Sequence, residues 1–525
     1  MISRTGSDFD IILLTAEYFD DLPQSPAAVI SRVLDAKGFD VGIIEKPISR
    51  NDYEKLGSPK LAFCITSGSI DSMLHNYTPL KKKRQEDRYS SVTDMPDRAV
   101  IVYCNKIKEY FKGSKIVIGG IEASLRRFAH YDYWKNSVRR SILLDSRADI
   151  LVYGNGEKQM IEIAEKLRSG ENLKGIRGTC VLRRELPESF DLLPSFDEVS
   201  EDPIKFCEMH LKFSNYSNLA QEYKNNYVLQ FKYPEYTSSD LDWIYSLSFS
   251  RKLHPKSLLK MSKFSVVTHR GCIGRCNFCS ISLHQGDMII SRSEESILEE
   301  IERLTKHPDF KGYIDDIGGP SANMYNMDCE TICDSWCMRC DRLDRSHEGL
   351  ISLLRKVRRV PGVKKAFVRS GIRYDLAIES EEYVRELFEN HLSGYLKIAP
   401  EHFSDRVLEL MNKDNSRFED FLGFLSSLDI DVKRSLRHYL MVGHPGDDEK
   451  SVRALGDKAS ELGNIEQFQL FTPTPMTISS CMYWSGLDPH TLKKIGVVYD
   501  YHSKKRLKRI LLKSIERSHL GSKED

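Results

Sequence analysis

The chain has 525 residues, 40% hydrophobic and 29% charged, with 77 Lys and Arg against 76 Asp and Glu for a net charge of +1. That length is too great for one hydrophobic core and predicts two or three domains; the composition excludes a disordered chain, and the balanced charge argues neither for nor against nucleic acid. There is no run of about 18 apolar residues, which excludes a membrane-spanning helix.

The apolar run Ile11 to Leu14 is too short, and too soon followed by acids, for a secretory signal. A reducing cytoplasm is therefore expected, where the 12 cysteines serve as metal ligands and buried thiols and not as disulfides.

From Asp10 to Glu157 strand and helix patterns alternate. Residues 10–16, 41–44, 61–66, 100–103, 116–118 and 150–152 read as strands, and 27–37 repeats apolar residues at helical spacing. Alternation of this kind predicts a mostly parallel, doubly wound sheet over residues 1–181. Neither G-x-G-x-x-G nor G-x4-G-K-[ST] occurs in it. The basic clusters at 81–84, 126–127 and 139–140 read as solvated faces, and residues 182–260, with weak periodicity, as a connector.

Regular periodicity returns at Lys263. Strands over 264–268, 313–317, 363–368, 395–399, 436–442 and 467–471 alternate with helices over 294–305, 347–359, 381–389, 417–427 and 448–462. Six strand–helix units predict a partial (βα)6 barrel over 261–485, with chemistry on the loops at the carboxyl ends of the strands. The remaining residues, 486–525, hold a basic segment in which Leu507, Ile510, Leu511 and Ile515 recur at helical spacing, an amphipathic helix packed on the barrel. RNA or another acidic partner is a weaker reading of its basic face.

The end of the first barrel strand carries GCIGRCNFCS, which spaces Cys272, Cys276 and Cys279 as C-x3-C-x2-C. Three thiolates can each take one iron of a [4Fe-4S] cluster and leave the fourth iron open, where a fully ligated cluster needs four. An open iron can bind the amino and carboxylate groups of S-adenosylmethionine (SAM). Half of a zinc site and chance proximity are the competing readings. Strand ends two, four and five add Gly318-Gly319-Pro320, Pro400-Glu401-His402 and Gly443-His444-Pro445-Gly446 at the same mouth. Glu401, His402 and His444 are candidates for cofactor or substrate contact, while Pro and Gly at strand ends are also ordinary turn residues.

A second group, Cys329, Cys333, Cys337 and Cys340, lies in the long connection after strand two. One unbroken helix would spread these thiols over roughly 16 Å along its axis. A turn among them would let them converge on a second metal, either structural zinc or an auxiliary iron–sulfur cluster.

The cysteine spacing, with Phe278 before the last cysteine, resembles the signature of the radical SAM superfamily. The runs Asp316–Tyr325, Ser393–His402 and GHPG, with NYTPLKKKR and IGGIEASLRRFAHYDYW upstream, closely resemble the YgiQ-like family within it, over residues 8–490. The resemblance implies a [4Fe-4S] cluster on Cys272, Cys276 and Cys279, SAM on the open iron, and an electron donor such as flavodoxin or ferredoxin. Gly318 and Gly319 stand where related enzymes have a Gly-Gly-Glu-like motif whose backbone meets the methionine amino group, with Pro320 departing from it. The amino-terminal domain is implied to be cobalamin-binding-like, without the Asp-x-His-x-x-Gly motif that supplies cobalamin's lower ligand. The resulting expectation is a radical SAM enzyme acting on an unknown substrate. A metal-stabilised RNA- or protein-binding factor and a methylthiotransferase-like enzyme are the alternatives.

Overall fold

The apolar runs at the amino end become the centre of a parallel sheet. The computed structural model describes residues 2–84, 95–257, 259–329 and 337–521. They divide into two units, Met1–Tyr236 with Trp243–Lys263, and Thr237–Asp242 with Phe264–Asp525.

In the first unit β1 (Ile2–Ser3), β2 (Ile11–Thr15), β3 (Val41–Glu45), β4 (Ala62–Thr66), β5 (Ile116–Gly119) and β6 (Ile150–Val152) run parallel. β2 is buried at every position, as a central parallel strand covered on both faces must be. Its alternate residues Ile11 and Leu13 share a core with helix α1 (Pro26–Ala36). The chain steps from β2 to β3 on one side and to β4 on the other, so the switch point of the sheet lies between β2 and β4.

Residues 100–103, expected as a strand, lie instead in helix α2 (Ala99–Tyr110), which buries Ala99, Val100, Tyr103, Cys104 and Ile107. The β-branched run is local, but burial at three- and four-residue intervals favours the helix, and tertiary packing overrides propensity. Arg126 and Arg127 are likewise not a solvated face. Both are buried, Arg126 against Asp71 and Arg127 against Gln230 and Asn215.

The stretch 182–260, expected as a connector, supplies much of the sheet. After β7 (Thr179–Arg183), the strands β8 (Asp191–Leu193), β9 (Leu219–Tyr223) and β10 (Asn226–Gln230) extend it to ten, in the order β1-β3-β2-β4-β5-β6-β7-β10-β9-β8. Its apolar pattern is masked because Gln221 and Gln230, fully buried, occupy interior positions. Gln221 accepts from the Ala129 N–H at 2.8 Å, and Gln230 accepts from Arg127 Nε at 2.7 Å.

The second unit is the expected partial barrel. β11 (Ser265–Val267) pairs with β13 (Asp316–Gly318), and β12 (Tyr313–Ile314) pairs with β14 (Lys365–Ala366). A single parallel bridge, Ile372 to Ile398, leads to β15 (Leu396–Glu401), followed by β16 (Leu436–Val442) and β17 (Ile465–Leu470). Outside them lie α3 (Glu294–Thr305), α4 (Glu348–Val357), α5 (Asp405–Met411), α6 (Phe418–Ser427), α7 (Glu449–Leu462) and α8 (Ile478–Ser485). The terminal helix α9 (Tyr501–Gly521) buries Leu507, Ile510 and Leu511 against Val452, Leu455 and Ala459 of α7. Gly456 permits the approach, since a Cβ there would sit 2.5 Å from Ser514 Cβ. Among the described residues no helix is long and apolar enough to cross a membrane.

Candidate metal and cofactor site

The three cysteines sit on a loop closed at its base. His269–Arg270 pairs antiparallel with Ile290–Ser291, and the Cys272 N–H donates to Gly286 O at 3.1 Å. Gly271 makes the closure possible. It has φ +86°, a conformation glycine adopts without steric cost, and a Cβ on it would lie 1.8 Å from Met288 O. Arg292, wholly buried, ties the return limb to β11 through Val267 O at 2.8 Å and pairs with Glu300.

Two other loops fix the far side. The Asn277 N–H donates to Met411 O at 2.8 Å and its side chain to Leu410 O at 3.0 Å, at the end of α5. The Ser479 N–H, at the start of α8, donates to Asn277 O at 3.0 Å. The loop is thus held by β11, α5 and α8 together.

The sulfurs of Cys272 and Cys276 flank Gly274, at 3.5 and 3.8 Å from where its Cβ would be. Burial raises the Cys272 thiol above its ordinary pKa, and burial with the neighbouring Cys276 pushes Cys279 up to about 12. As free thiols they are held protonated. Metal ligation needs the thiolates, and a bound cation reverses this balance. Among the described residues no three His, Cys, Asp or Glu side chains stand where they would share a single ion, the motif cysteines included. A cubane asks for no shared point, because each cysteine binds its own iron at a separate corner.

Arg373, on the loop after the third barrel strand, was not singled out by motif. Its guanidinium donates to both oxygens of Asp375, at 2.9 and 2.5 Å, and directs Nη1 to the Cys276 sulfur at 4.0 Å. Buried Asn323 brackets its backbone, accepting from Arg373 N–H at 2.8 Å and donating to Arg373 O at 2.9 Å. The usable signal was positional: GIRYD follows a barrel strand at its carboxyl end.

Glu401 ends β15 with φ +67°, after a register shift between Ile398 and Glu401. A bulge and a left-handed non-glycine residue both re-aim side chains and gather at functional sites. Burial pushes its carboxyl up to about 7, with Lys413 opposing. The two histidines behave differently. His444 donates from Nδ1 to Pro445 O at 2.9 Å and accepts at Nε2 from the Ser479 hydroxyl at 2.6 Å, and burial brings its pKa down to about 4. His402 accepts from the Ser404 N–H at 3.0 Å and turns Nε2 to Asp447 at 3.5 Å, fully buried. Both are buried at the strand ends.

Gly318 and Gly319 are pressed against strand one. The Gly318 carbonyl accepts from the Thr268 N–H at 2.9 Å, and a Cβ on Gly319 would lie 2.6 Å from the His269 ring. Of the second cysteine group, Cys333 lies outside the described residues. Cys337 packs on the same apolar cluster of Ile273, Ile289, Met324, Met327 and Leu376 that Cys272 touches, while Cys329 is exposed.

A partial (βα)6 barrel with a three-cysteine loop at the end of its first strand, preceded by a cobalamin-binding-like α/β unit, defines a radical SAM enzyme, here of unassigned reaction. Residues 1–268 match the radical SAM N-terminal family and residues 266–459 the radical SAM superfamily. The chain belongs to the UPF0313, or YgiQ-like, family of radical SAM proteins. A UPF0313 protein of Clostridium botulinum (strain ATCC 19397 / Type A) is 43% identical over 543 residues, covering 96% of this chain and 84% of that one. One of Methanosarcina acetivorans is 42% identical over 564 residues, covering 96% and 76%. In fold the chain is similar to the radical SAM methyltransferase TsrM from Kitasatospora setae, solved with cobalamin and a [4Fe-4S] cluster bound. The TM-score is 0.50 at 16% identity, over 90% of this chain and 79% of that one.

Proposed function

We propose that Cys272, Cys276 and Cys279 hold three irons of a [4Fe-4S] cluster, that SAM binds the fourth, and that the chain abstracts hydrogen from a substrate at the barrel mouth. When bound, the cluster and SAM supply one electron and a 5′-deoxyadenosyl radical, with a flavodoxin or ferredoxin as the electron's source. The protein's share is position and exclusion of water. The clipped loop from Gly271 to Ile290 holds the thiols, Arg373 sets a positive charge beside Cys276, and Glu401 offers a carboxyl at the end of β15. Gly318 and Gly319 would offer backbone carbonyls to the methionine amino group of SAM. An oxygen-labile cluster and reduced thiols suit a reducing cytoplasm.

The observation that carries this reading is the loop itself, three thiols held on one closed turn with a guanidinium at Cys276. Anaerobic reconstitution followed by reductant tests it. Release of 5′-deoxyadenosine from the wild type, lost in Cys276→Ala, is the expected result. Tight binding of RNA or a protein partner, with no cleavage of SAM, would favour the metal-stabilised binding factor instead.

Methylthiolation is a second reading, favoured by the shared apolar cluster beneath Cys272 and Cys337, which would set an auxiliary iron–sulfur cluster beside the first. Extra iron and sulfide, lost in Cys337→Ala while SAM cleavage persists, is its signature.

A further inference from the structure

The fold of the first unit raises cobalamin as a cofactor, because TsrM was solved with it bound. An open parallel sheet takes its ligand in the crevice at the carboxyl ends of the strands that flank the switch point. Those strands here are β2 and β4. Glu17 leaves the end of one, and Ser67-Gly68-Ser69 leaves the end of the other.

The gap between them is occupied by the protein itself. Glu17 Oε2 accepts from the Ser69 N–H at 2.8 Å and from the Ser69 hydroxyl at 3.0 Å. Gly68, at φ +101°, lies directly against the carboxyl, and a Cβ there would stand 2.3 Å from Glu17 Cδ. Gly120, after β5, closes on the same place, where a Cβ would stand 2.4 Å from the Thr66 hydroxyl. The backbone N–H and hydroxyl that a phosphate would seek, such as that of cobalamin's nucleotide tail, already serve a carboxylate.

The loop that carries Glu17 is also tied down. Asp20 accepts from the His254 N–H at 2.7 Å and the Ser257 hydroxyl at 2.5 Å. Asp21 accepts from the Ser250 N–H at 3.0 Å and its hydroxyl at 2.6 Å. Two backbone bonds, Asp21 N–H to Lys252 O at 3.0 Å and Arg251 N–H to Asp21 O at 3.1 Å, complete the tie. Tyr18 stacks flat on His254 with centroids 4.2 Å apart. Moving the loop that carries Glu17 would break this set of contacts together.

We propose that the amino-terminal unit is a cofactor-free form of the cobalamin-binding fold, in which the Glu17 carboxylate stands where a ligand's anionic group would lie and residues 250–257 lock it there. The inference does not depend on the cluster. Taken with the proposed function, it leaves the enzyme without a corrinoid methyl carrier.

Two measurements on the full chain test it. After incubation with hydroxocobalamin and desalting, the wild type should retain no more corrinoid than an unrelated protein; retention near one equivalent per chain would overturn the proposal. A thermal double-mutant cycle tests the plug. Gly68→Ala should lower the melting midpoint more in the wild type than in Glu17→Ala, because the added methyl collides with the carboxyl only when the carboxyl is there. Additive shifts would show that Glu17 does not fill the crevice and would equally overturn it. Neither readout involves SAM cleavage, so a failure here is separable from a failure of the proposed reaction.

Discussion

Gly271→Ala should open the cysteine loop without unfolding the barrel. An alanine at φ +86° is strained, at about 1–2 kcal/mol for a residue held in the left-handed region. Its Cβ would stand 1.8 Å from Met288 O, where real contacts stay beyond 3.0 Å, so the carbonyl has to retreat by about 1.2 Å. A backbone carbonyl cannot rotate away as a side chain can. The retreat pulls on the return limb and breaks the Cys272 to Gly286 bond and at least one rung of the His269 to Ser291 pairing, about 1 kcal/mol each. The total, about 3–4 kcal/mol, is large for a loop but smaller than the stability of a typical domain. The assays are alkylation of Cys272 and Cys279 in the metal-free chain, and iron and sulfide per chain after anaerobic reconstitution. Faster alkylation and lost iron, with the far-ultraviolet spectrum intact, are expected. Unchanged alkylation and full iron loading would refute the argument that this glycine holds the loop shut.

Arg373→Met leaves the Asp375 carboxylate unpaired in a mostly buried site, a change worth about 3–5 kcal/mol of stability. Adding Asp375→Asn should recover most of it, while the midpoint potential of the reconstituted cluster stays below wild type in both variants; equal destabilisation of single and double variants would contradict the pairing. Glu401 gives a pH dependence in the metal-free chain. Below about 4.5 its carboxyl is protonated in both states. Between there and about 7 the folded chain keeps a proton that the unfolded chain releases, so stability falls as pH rises through that window, by about 1–3 kcal/mol, and levels off above it. Glu401→Gln should flatten that slope in urea titrations at pH 5 and 8, and an unchanged slope would assign it elsewhere. Leu511→Ala, in α9, removes a fully buried side chain and should cost about 2–5 kcal/mol. A shift of less than about 0.5 kcal/mol in urea, the range of a surface change, would mean that α9 is not part of the barrel's packing.

Much of the second unit is legible from its residues because the information is local. Helix α3 occupies Glu294–Thr305, the span its periodicity predicts, and α9 buries the stripe Leu507, Ile510 and Leu511. Such faces follow from a 3.6-residue repeat that any segment carries within itself. The cysteine spacing is local too. Where polar residues interrupt the pattern the reading fails, as with buried Gln221 and Gln230 in β9 and β10. It also fails where a short apolar run suits either structure, as with Val100 to Tyr103 in α2.

The residues alone determined the three-cysteine loop, the strand that delivers it and the class of cofactor it suits, since all of these lie within a few neighbouring positions. Only the tertiary structure decided what each ionisable group meets. Arg373 reaches Cys276 from 97 positions away, and Glu17 reaches Ser69 from 52. It likewise buried His402 beside Asp447 and His444 against Ser479, and left Glu401 in a bulge at the end of its strand. Periodicity tells which way a side chain points from its own segment. Charge, burial and steric closure depend on distances between segments, which exist only once the chain has folded.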